Sequence, residues 1–443
     1  LTTGVYCRTV CPARMPNEEN VRYYASAASA QEAGFRPCLR CRPEAARHLP
    51  EWTIGSDTVL RAVRKIESGF LTDPTAAQLA GDLAVGERQL SRLFARELGA
   101  TPNSLARLVR AKAAREILLT SAVPLAEVAY HAGYGSISRF NHEIRQIFHC
   151  TPGQLRGRSV SGSPEVLITL PVREPYDFDW VFSYLRTRAL QGIEEVHGGP
   201  GEWCYRRRLC GALPSAGWVE VAQAGADLQA RVPLVAEPLH SLLHRIRRVF
   251  DLNADGAALH EFLLADRRLR PSVQAVPGLR VPGAWDGFET AVRAVLGQQV
   301  SVARGTDLAN RMIARYGAGD FPSPEQLVDQ EVAELGMPGR RGRAVSALAQ
   351  LVMAGALRVD EAQDFAAFQT QLESIEGIGP WTANYIRMRV LKDPDAFPDN
   401  DWVVLKELEC TPAQARREAQ KWRPWRAYAL MYLWYAAGRR RQS

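Results

Sequence analysis

The 443-residue sequence predicts a multidomain, mainly α chain: a small stapled module, paired helical units, an α+β unit and an all-helical region. Three observations carry that prediction. Apolar residues recur at three- and four-residue intervals over 56–158 and again from about 241 to the end. Strand-like alternation is confined to about 164–240. Residues 1–48 have little apolar periodicity and are rich in Cys, Arg and Pro, so they need a staple to fold.

Composition narrows the function. Hydrophobic residues at 46% and charged residues at 23% are ordinary for a globular chain. No apolar run is long enough to span a bilayer and no signal peptide is visible, so a cytoplasmic protein without a membrane partner is expected. Residues 1–158 hold 21 Lys+Arg against 14 Asp+Glu, whereas the other 285 residues hold 34 of each sign. All the excess positive charge therefore lies in the first third, as contact with a polyanion requires.

The first module, 1–48, carries four of the eight cysteines in the order C-x3-C, twenty-six residues, C-x2-C. Each close pair can place two thiolates on one ion, and four cysteines make a tetrahedral Zn²⁺ site. Cys150, Cys204, Cys210 and Cys410 are scattered and are expected to be reduced thiols. One reading is that zinc only folds the module. The segments "TTGVYCRTVCPAR" and "NVRYYASAASAQEAGFRPCLRCRPE" resemble the amino-terminal domain of the Ada adaptive-response family. That resemblance implies one Zn²⁺ held by Cys7, Cys11, Cys38 and Cys41, with Cys7 also the nucleophile. It takes a methyl group from a DNA methylphosphotriester once, irreversibly. Arg14, Arg36 and Arg40 match basic positions that face the DNA backbone in that family. The family domain has further residues before Thr2-Thr3-Gly4, so this module is expected to be truncated at its start.

The second region, 49–158, contains two similar stretches, 75–99 and 124–148, each a short helix, a turn and a second helix. "TAAQLAGDLAVGERQLSRLFARELG" and "PLAEVAYHAGYGSISRFNHEIRQIFHCTPGQLR" resemble the double helix-turn-helix of AraC-type regulators. On the recognition helices Arg88, Gln89 and Arg92, then Ser136, Ser138, Arg139 and Asn141, are candidates for DNA contact. Sequence-selective binding to a promoter in double-stranded DNA is expected. A Ser/Gly linker, "GRSVSGSPE" (157–165), closes the region.

Residues 164–240 alternate like strands in "EVLITLPV" and "WVEVAQAG" around the helical "DFDWVFSYLRTRAL". From 241 to 443 helices dominate, and the densest chemistry lies in "LESIEGIGPWTANYIRMRVLKDPDAFPDNDWVVLKEL" (372–408). Gly377-Ile378-Gly379 joins two apolar helices, and tight glycines let a backbone approach phosphate. A loop with Asp395, Asp399 and Asp401 follows about twenty residues later.

That combination, with "DGFETAVRAVLGQQVSV", "GMPGRRGRAVSAL" and "WRPWRAYALMYLWY", resembles the AlkA branch of the helix-hairpin-helix DNA glycosylases over 164–443. The resemblance places the catalytic carboxylate on Asp401, with Asp399 in reserve. It places base-binding aromatics at Trp381, Tyr385 and Trp434, and a duplex wedge at Gln299. Such a carboxylate stabilises an oxocarbenium-like sugar and accepts a proton from water. Superfamily members that also cut the backbone carry a lysine where this chain has Trp381, so a monofunctional, water-using glycosylase for 3-methyladenine-type lesions is expected.

The whole reads as a fusion of methyl acceptor, regulator and base-excision enzyme, expected to be a monomer. The methyltransferase of Ada, with its Pro-Cys-His-Arg nucleophile, is missing, so direct repair of O6-alkylguanine is not expected. The competing reading is a transcription regulator of an alkylation response whose carboxyl-terminal half only binds DNA.

Overall fold

The structure, a computed structural model, describes residues 4–7, 17–38, 57–69, 76–156, 165–209, 217–234, 237–360 and 362–440. Cys11, Cys41, Arg14, Arg40 and, apart from Glu165, the expected linker lie outside the described residues. Two compact units are formed, one from 1–171 with 230–244, the other from 172–229 with 245–443. No helix among the described residues is long and apolar enough to cross a membrane.

In the first unit, the two helix-turn-helix repeats have the same plan. Helices Ala76–Asp82 and Glu87–Leu98 form one, Leu125–His131 and Ile137–Phe148 the other, joined by the long helix Pro102–Thr120. Each recognition helix ends in a left-handed residue, Gly99 (φ 61°) or His149 (φ 56°). A Thr-Pro pair then starts the next helix: Thr101 accepts from Ser104 N, and Thr151 from Gln154 N. Around the first repeat, Val59, Ile66, Leu79, Leu90, Phe94 and Leu105 form one core at 3% exposure or less. Such side chains contribute about 2 kcal/mol each on burial.

The small helix Ala27–Glu32 packs on this frame. Ser26 and Ser29 cap it reciprocally, and Ser26 Oγ donates to Leu98 O at 2.7 Å. Glu32 Oε1 accepts from Thr101 N at 3.0 Å and Thr101 Oγ1 at 3.2 Å.

The second unit opens with helix Phe178–Arg186, capped by Asp177 through Trp180 N. Strands Glu194–His197, Cys204–Arg208 and Trp218–Ala224 follow as an antiparallel meander, with Val196 opposite Tyr205 and Tyr205 opposite Val221. Tyr205, Val219 and Val221 are buried, and Phe182 from the helix stacks on Trp203 at 5.6 Å.

The helices beyond gather into two cores. One contains Val295, Leu348, Phe368, Ile378 and Ile386, the other Leu263, Phe397, Trp422 and Leu430. Their starts are written locally: Asp286, Ser301 and Asp364 each cap a helix through the third amide beyond. Together these helices hold the hairpin and the acidic loop in fixed register.

Candidate active site

The hairpin runs from helix Phe365–Glu373 to helix Pro380–Val390. Gly377 sits at φ 97°, and a Cβ there would meet Ala344 Cβ at 3.0 Å and Arg340 O at 3.1 Å. Only glycine fits that turn without displacement. Gly379 is exposed and caps the second helix, with Pro380 as its first residue. The Ile378 side chain is 3% exposed and belongs to the core, so only its backbone contributes to the hairpin surface. Beneath the turn, Gln298 Nε2 donates to Gly377 O at 2.8 Å and to Thr382 Oγ1 at 3.0 Å. The neighbouring Gln299 is exposed in the left-handed region (φ 54°), in the loop between helices Gly287–Leu296 and Val302–Tyr316. A non-glycine residue at such a φ stores backbone strain.

Trp381, Tyr385, Trp434 and Asp401 line one cavity of about 590 Å³. Asp401 is 5% exposed and caps helix Trp402–Leu408, its Oδ1 accepting from Val404 N at 2.9 Å. Its Oδ2 accepts the Trp381 indole N–H at 2.6 Å, and Oδ1 also accepts that of Trp434 at 3.2 Å. Trp381 and Tyr385 stack with planes 10° apart and centroids 5.4 Å apart, and Tyr385 lies 6.4 Å from Trp434. The remaining acids of the loop are engaged elsewhere. Asp395 accepts from Arg426 at 2.7 and 2.8 Å and from Arg423 at 2.9 Å, while Asp399 accepts from Arg416 at 2.5 Å.

Sequence reasoning missed part of the cavity. Tyr184, Arg188 and Arg389 also line it, and Tyr184 and Tyr385 share a hydroxyl contact of 3.3 Å. Along another wall, buried Arg207 pairs with Glu194 at 3.1 Å and Glu289 at 2.5 Å, and Arg293 pairs with Glu289 at 2.9 Å. Burial pushes the Glu289 carboxyl up, and Arg207 and Arg293 outweigh it to hold the group below the usual carboxylate range. A separate open hollow of about 670 Å³ contains Asp177 and Asp179, which are occupied by the Trp180 amide and the Trp203 indole N–H.

In the first unit, strands Val5–Tyr6 and Arg36–Pro37 run parallel, Val5 opposite Arg36 and Tyr6 opposite Pro37. Cys38 N donates to Tyr6 O at 3.1 Å. The next residue of each strand is Cys7 or Cys38, so one thiol from each close pair stands at the same end of the ladder. Soft thiolates converging there fit a zinc ion. Arg36 is half-buried on its strand.

Arg88, Gln89 and Arg92 are exposed opposite the buried Leu90, Phe94 and Leu98. In the second repeat Ser136 caps the recognition helix through Arg139 N, and Ser138 is exposed. Arg139 Nε donates to Glu143 at 3.1 Å and Asn141 Nδ2 to Ile137 O at 3.0 Å.

Comparison with known proteins adds an independent line. Residues 1–44 match the metal binding domain of Ada, 79–158 a helix-turn-helix domain and 167–286 the AlkA N-terminal domain. The chain is 40% identical to the "probable bifunctional transcriptional activator/DNA repair enzyme AlkA" of Mycobacterium tuberculosis, over 98% of this chain and 91% of that protein. It is 34% identical to "DNA-3-methyladenine glycosylase 2" of Escherichia coli, over 61% of this chain and 98% of that protein. The solved 3-methyladenine DNA-glycosylase of Archaeoglobus fulgidus superposes with a TM-score of 0.52 at 17% identity, covering 61% of this chain and 98% of that one, which supports the fold.

Proposed function

We propose, from the premise that the chain belongs to the family of AlkA-type bifunctional transcriptional activators and DNA repair enzymes, that it both repairs alkylated DNA and senses it. Residues 164–240 and 241–443 form a DNA-3-methyladenine glycosylase that hydrolyses the N-glycosidic bond of alkylated bases. Residues 1–48 are its zinc methyl acceptor and 49–158 its DNA-binding regulator. The observation that carries the glycosylase reading is Asp401: a buried carboxylate held by two indole N–H groups on the wall of an aromatic cavity.

The chemistry follows from the side chains. A base taken out of the duplex enters the cavity and stacks on Tyr385, Trp381 and Trp434, whose π faces attract a cationic alkylated purine. As the C1′–N bond breaks, the Asp401 carboxylate stabilises the oxocarbenium-like sugar and accepts a proton from the attacking water. Gln299 fills the space the base leaves, and the amides of the 377–379 turn hold a backbone phosphate. Trp381, which stands where backbone-cutting relatives carry a lysine, has no amine to form a Schiff base, so water is the nucleophile.

In the amino-terminal module Cys7, Cys11, Cys38 and Cys41 would hold one Zn²⁺, which would keep the Cys7 sulfur as thiolate at neutral pH. That sulfur attacks the methyl carbon of a methylphosphotriester. The S–C bond forms as the C–O bond breaks, and the phosphodiester anion leaves. Arg14, Arg36 and Arg40 face the phosphates, and Arg88, Gln89, Arg92, Ser138, Arg139 and Asn141 contact promoter DNA. The protein acts as a monomer on the chromosome, in the cytoplasm.

The test is to incubate the protein with methylated duplex DNA, measure free 3-methyladenine by chromatography and probe the DNA for strand breaks. Base release without nicking is expected. Absence of release would overturn the enzymatic reading in favour of a regulator that only binds DNA.

A further inference from the structure

Arg389 is 3% exposed, yet among the described residues it makes no ion pair with a carboxylate. Its Nη1 donates to Pro282 O at 2.7 Å, and its Nη2 lies 3.5 Å from Met431 Sδ. Its guanidinium faces two rings, with centroids at 4.7 Å for Tyr184 and 5.2 Å for Tyr385. A second guanidinium, Arg188, lies 3.8 Å from the Tyr184 centroid. The two tyrosine hydroxyls meet at 3.3 Å, beside the stack that Tyr385 makes with Trp381. A buried cation without a carboxylate partner is costly, and a cationic base entering the same cavity would add a second positive charge.

We infer that the Tyr184–Tyr385 hydroxyl pair, seated on Arg389, sets how this cavity discriminates between cationic and neutral lesion bases. This inference rests on the glycosylase reading above. When Tyr385 gives its phenolic proton to solvent water, the phenolate balances Arg389 and leaves room for a cationic purine. When the proton stays, Arg389, which has no carboxylate in direct contact among the described residues, favours a neutral one.

Electrostatics support the exchange. Burial pushes the Tyr385 hydroxyl up, but Arg389 and Arg188 outweigh it and bring it down to about 8, while burial drives Tyr184 up so that it keeps its proton and donates. The charged groups around the pair come from every adjoining element. Arg188 follows the Tyr184 helix, Arg389 shares the Tyr385 helix, Asp401 caps the next one, Asp251 acts on Arg389 while paired with Lys392 at 2.6 Å, and Glu194, Glu289 and Arg293 are already paired among themselves.

The experiment measures the ratio of 3-methyladenine to hypoxanthine excision (kcat/KM for each) from about pH 6 to about pH 9. Any pH effect on the steps common to both lesions cancels in the ratio. In the wild type the ratio should rise on the order of tenfold through about pH 8, since a phenolate and a cationic base in contact are strongly coupled. Tyr385→Phe should give a flat ratio, and Tyr184→Phe should move the midpoint upward by removing the hydroxyl that stabilises the phenolate.

A separate readout needs no turnover. The tyrosinate absorbance of the free wild type should show one early transition that Tyr385→Phe removes. A flat wild-type ratio, or no early tyrosinate, overturns the inference while leaving the glycosylase intact. Release of neither base at any pH overturns the glycosylase reading itself, and this inference with it.

Discussion

Replacing Asp401 by Asn separates charge from shape. The carboxylate accepts three hydrogen bonds: Trp381 Nε1 at 2.6 Å, Val404 N at 2.9 Å and Trp434 Nε1 at 3.2 Å. An asparagine of nearly the same size keeps one acceptor oxygen, so it can still cap helix Trp402–Leu408 through Val404 N. Its amide nitrogen then faces the Trp381 N–H, donor against donor. Loss of that one charge-assisted bond costs about 2 kcal/mol.

The catalytic cost is larger. A carboxylate about 4 Å from a developing sugar cation contributes about 4 kcal/mol at an effective dielectric of about 20. That is about a thousandfold in rate. Single-turnover release of 3-methyladenine should therefore fall about a thousandfold in Asp401→Asn. Affinity for an abasic-site duplex should stay within about threefold of the wild type, because binding uses contacts the mutation leaves alone. Asp399→Asn, which loses only an exterior pair with Arg416, should stay within about threefold in both measurements. An Asp401→Asn rate within about tenfold of wild type would refute the assignment, since an electrostatic role of this geometry cannot be that small.

Three further perturbations test other parts of the molecule. Gly377→Ala forces a Cβ to within 3.0 Å of Ala344 at φ 97°, so the second unit should lose about 2 kcal/mol in a denaturant melt and bind undamaged duplex more weakly by fluorescence anisotropy. Asp395→Asn breaks the paired contacts to Arg426 and should lower stability by about 2 kcal/mol, while base release below the melting range stays within about threefold. Cys38→Ser should lower bound zinc from about one per chain, read by elemental analysis. Intact mass after exposure to methylphosphotriester DNA should show a single added methyl, mapped to Cys7, in the wild type and none in Cys38→Ser.

The sequence displayed features whose cause is local. The paired helix-turn-helix units are visible because each carries its own turn, left-handed stop and Thr-Pro restart within about thirty residues. The hairpin is visible for the same reason: Gly377 turns the chain at φ 97°, and Pro380 starts the next helix. Tyr184, Arg188 and Arg389 were not legible as a group. Tyr184 stands 201 residues before Tyr385, and no local pattern joins their helices.

Adjacent residues with the same side chain were equally opaque. Gln298 turns inward to hold the hairpin carbonyl, whereas Gln299 turns outward at positive φ, and nothing in "GQQVS" distinguishes them. Ile378 reads as part of a phosphate-binding loop because it lies between two glycines, yet its side chain anchors the turn in the core. Of the three acids of "DAFPDND", Asp401 alone caps the helix that follows, and which arginine or indole reaches each is a tertiary property.

The ordinary role of an acid at the start of a helix and its proposed catalytic role are not alternatives at Asp401. Capping fixes the side chain: with Oδ1 on the Val404 amide, the rotamer is set and Oδ2 is directed to the Trp381 N–H. An ionised carboxylate held there is the form that can stabilise a sugar cation. The two indoles add donors that neither carry charge nor release protons near neutral pH, so they orient the carboxylate without neutralising it. An arginine in their place would make an ion pair like the one that occupies Asp395 or Asp399, and the negative charge would be spent before a substrate arrived. The difference between a structural acid and a catalytic one in this loop is therefore its donors: guanidinium groups quench two of the acids, while indole and amide groups hold the third in place with its charge available.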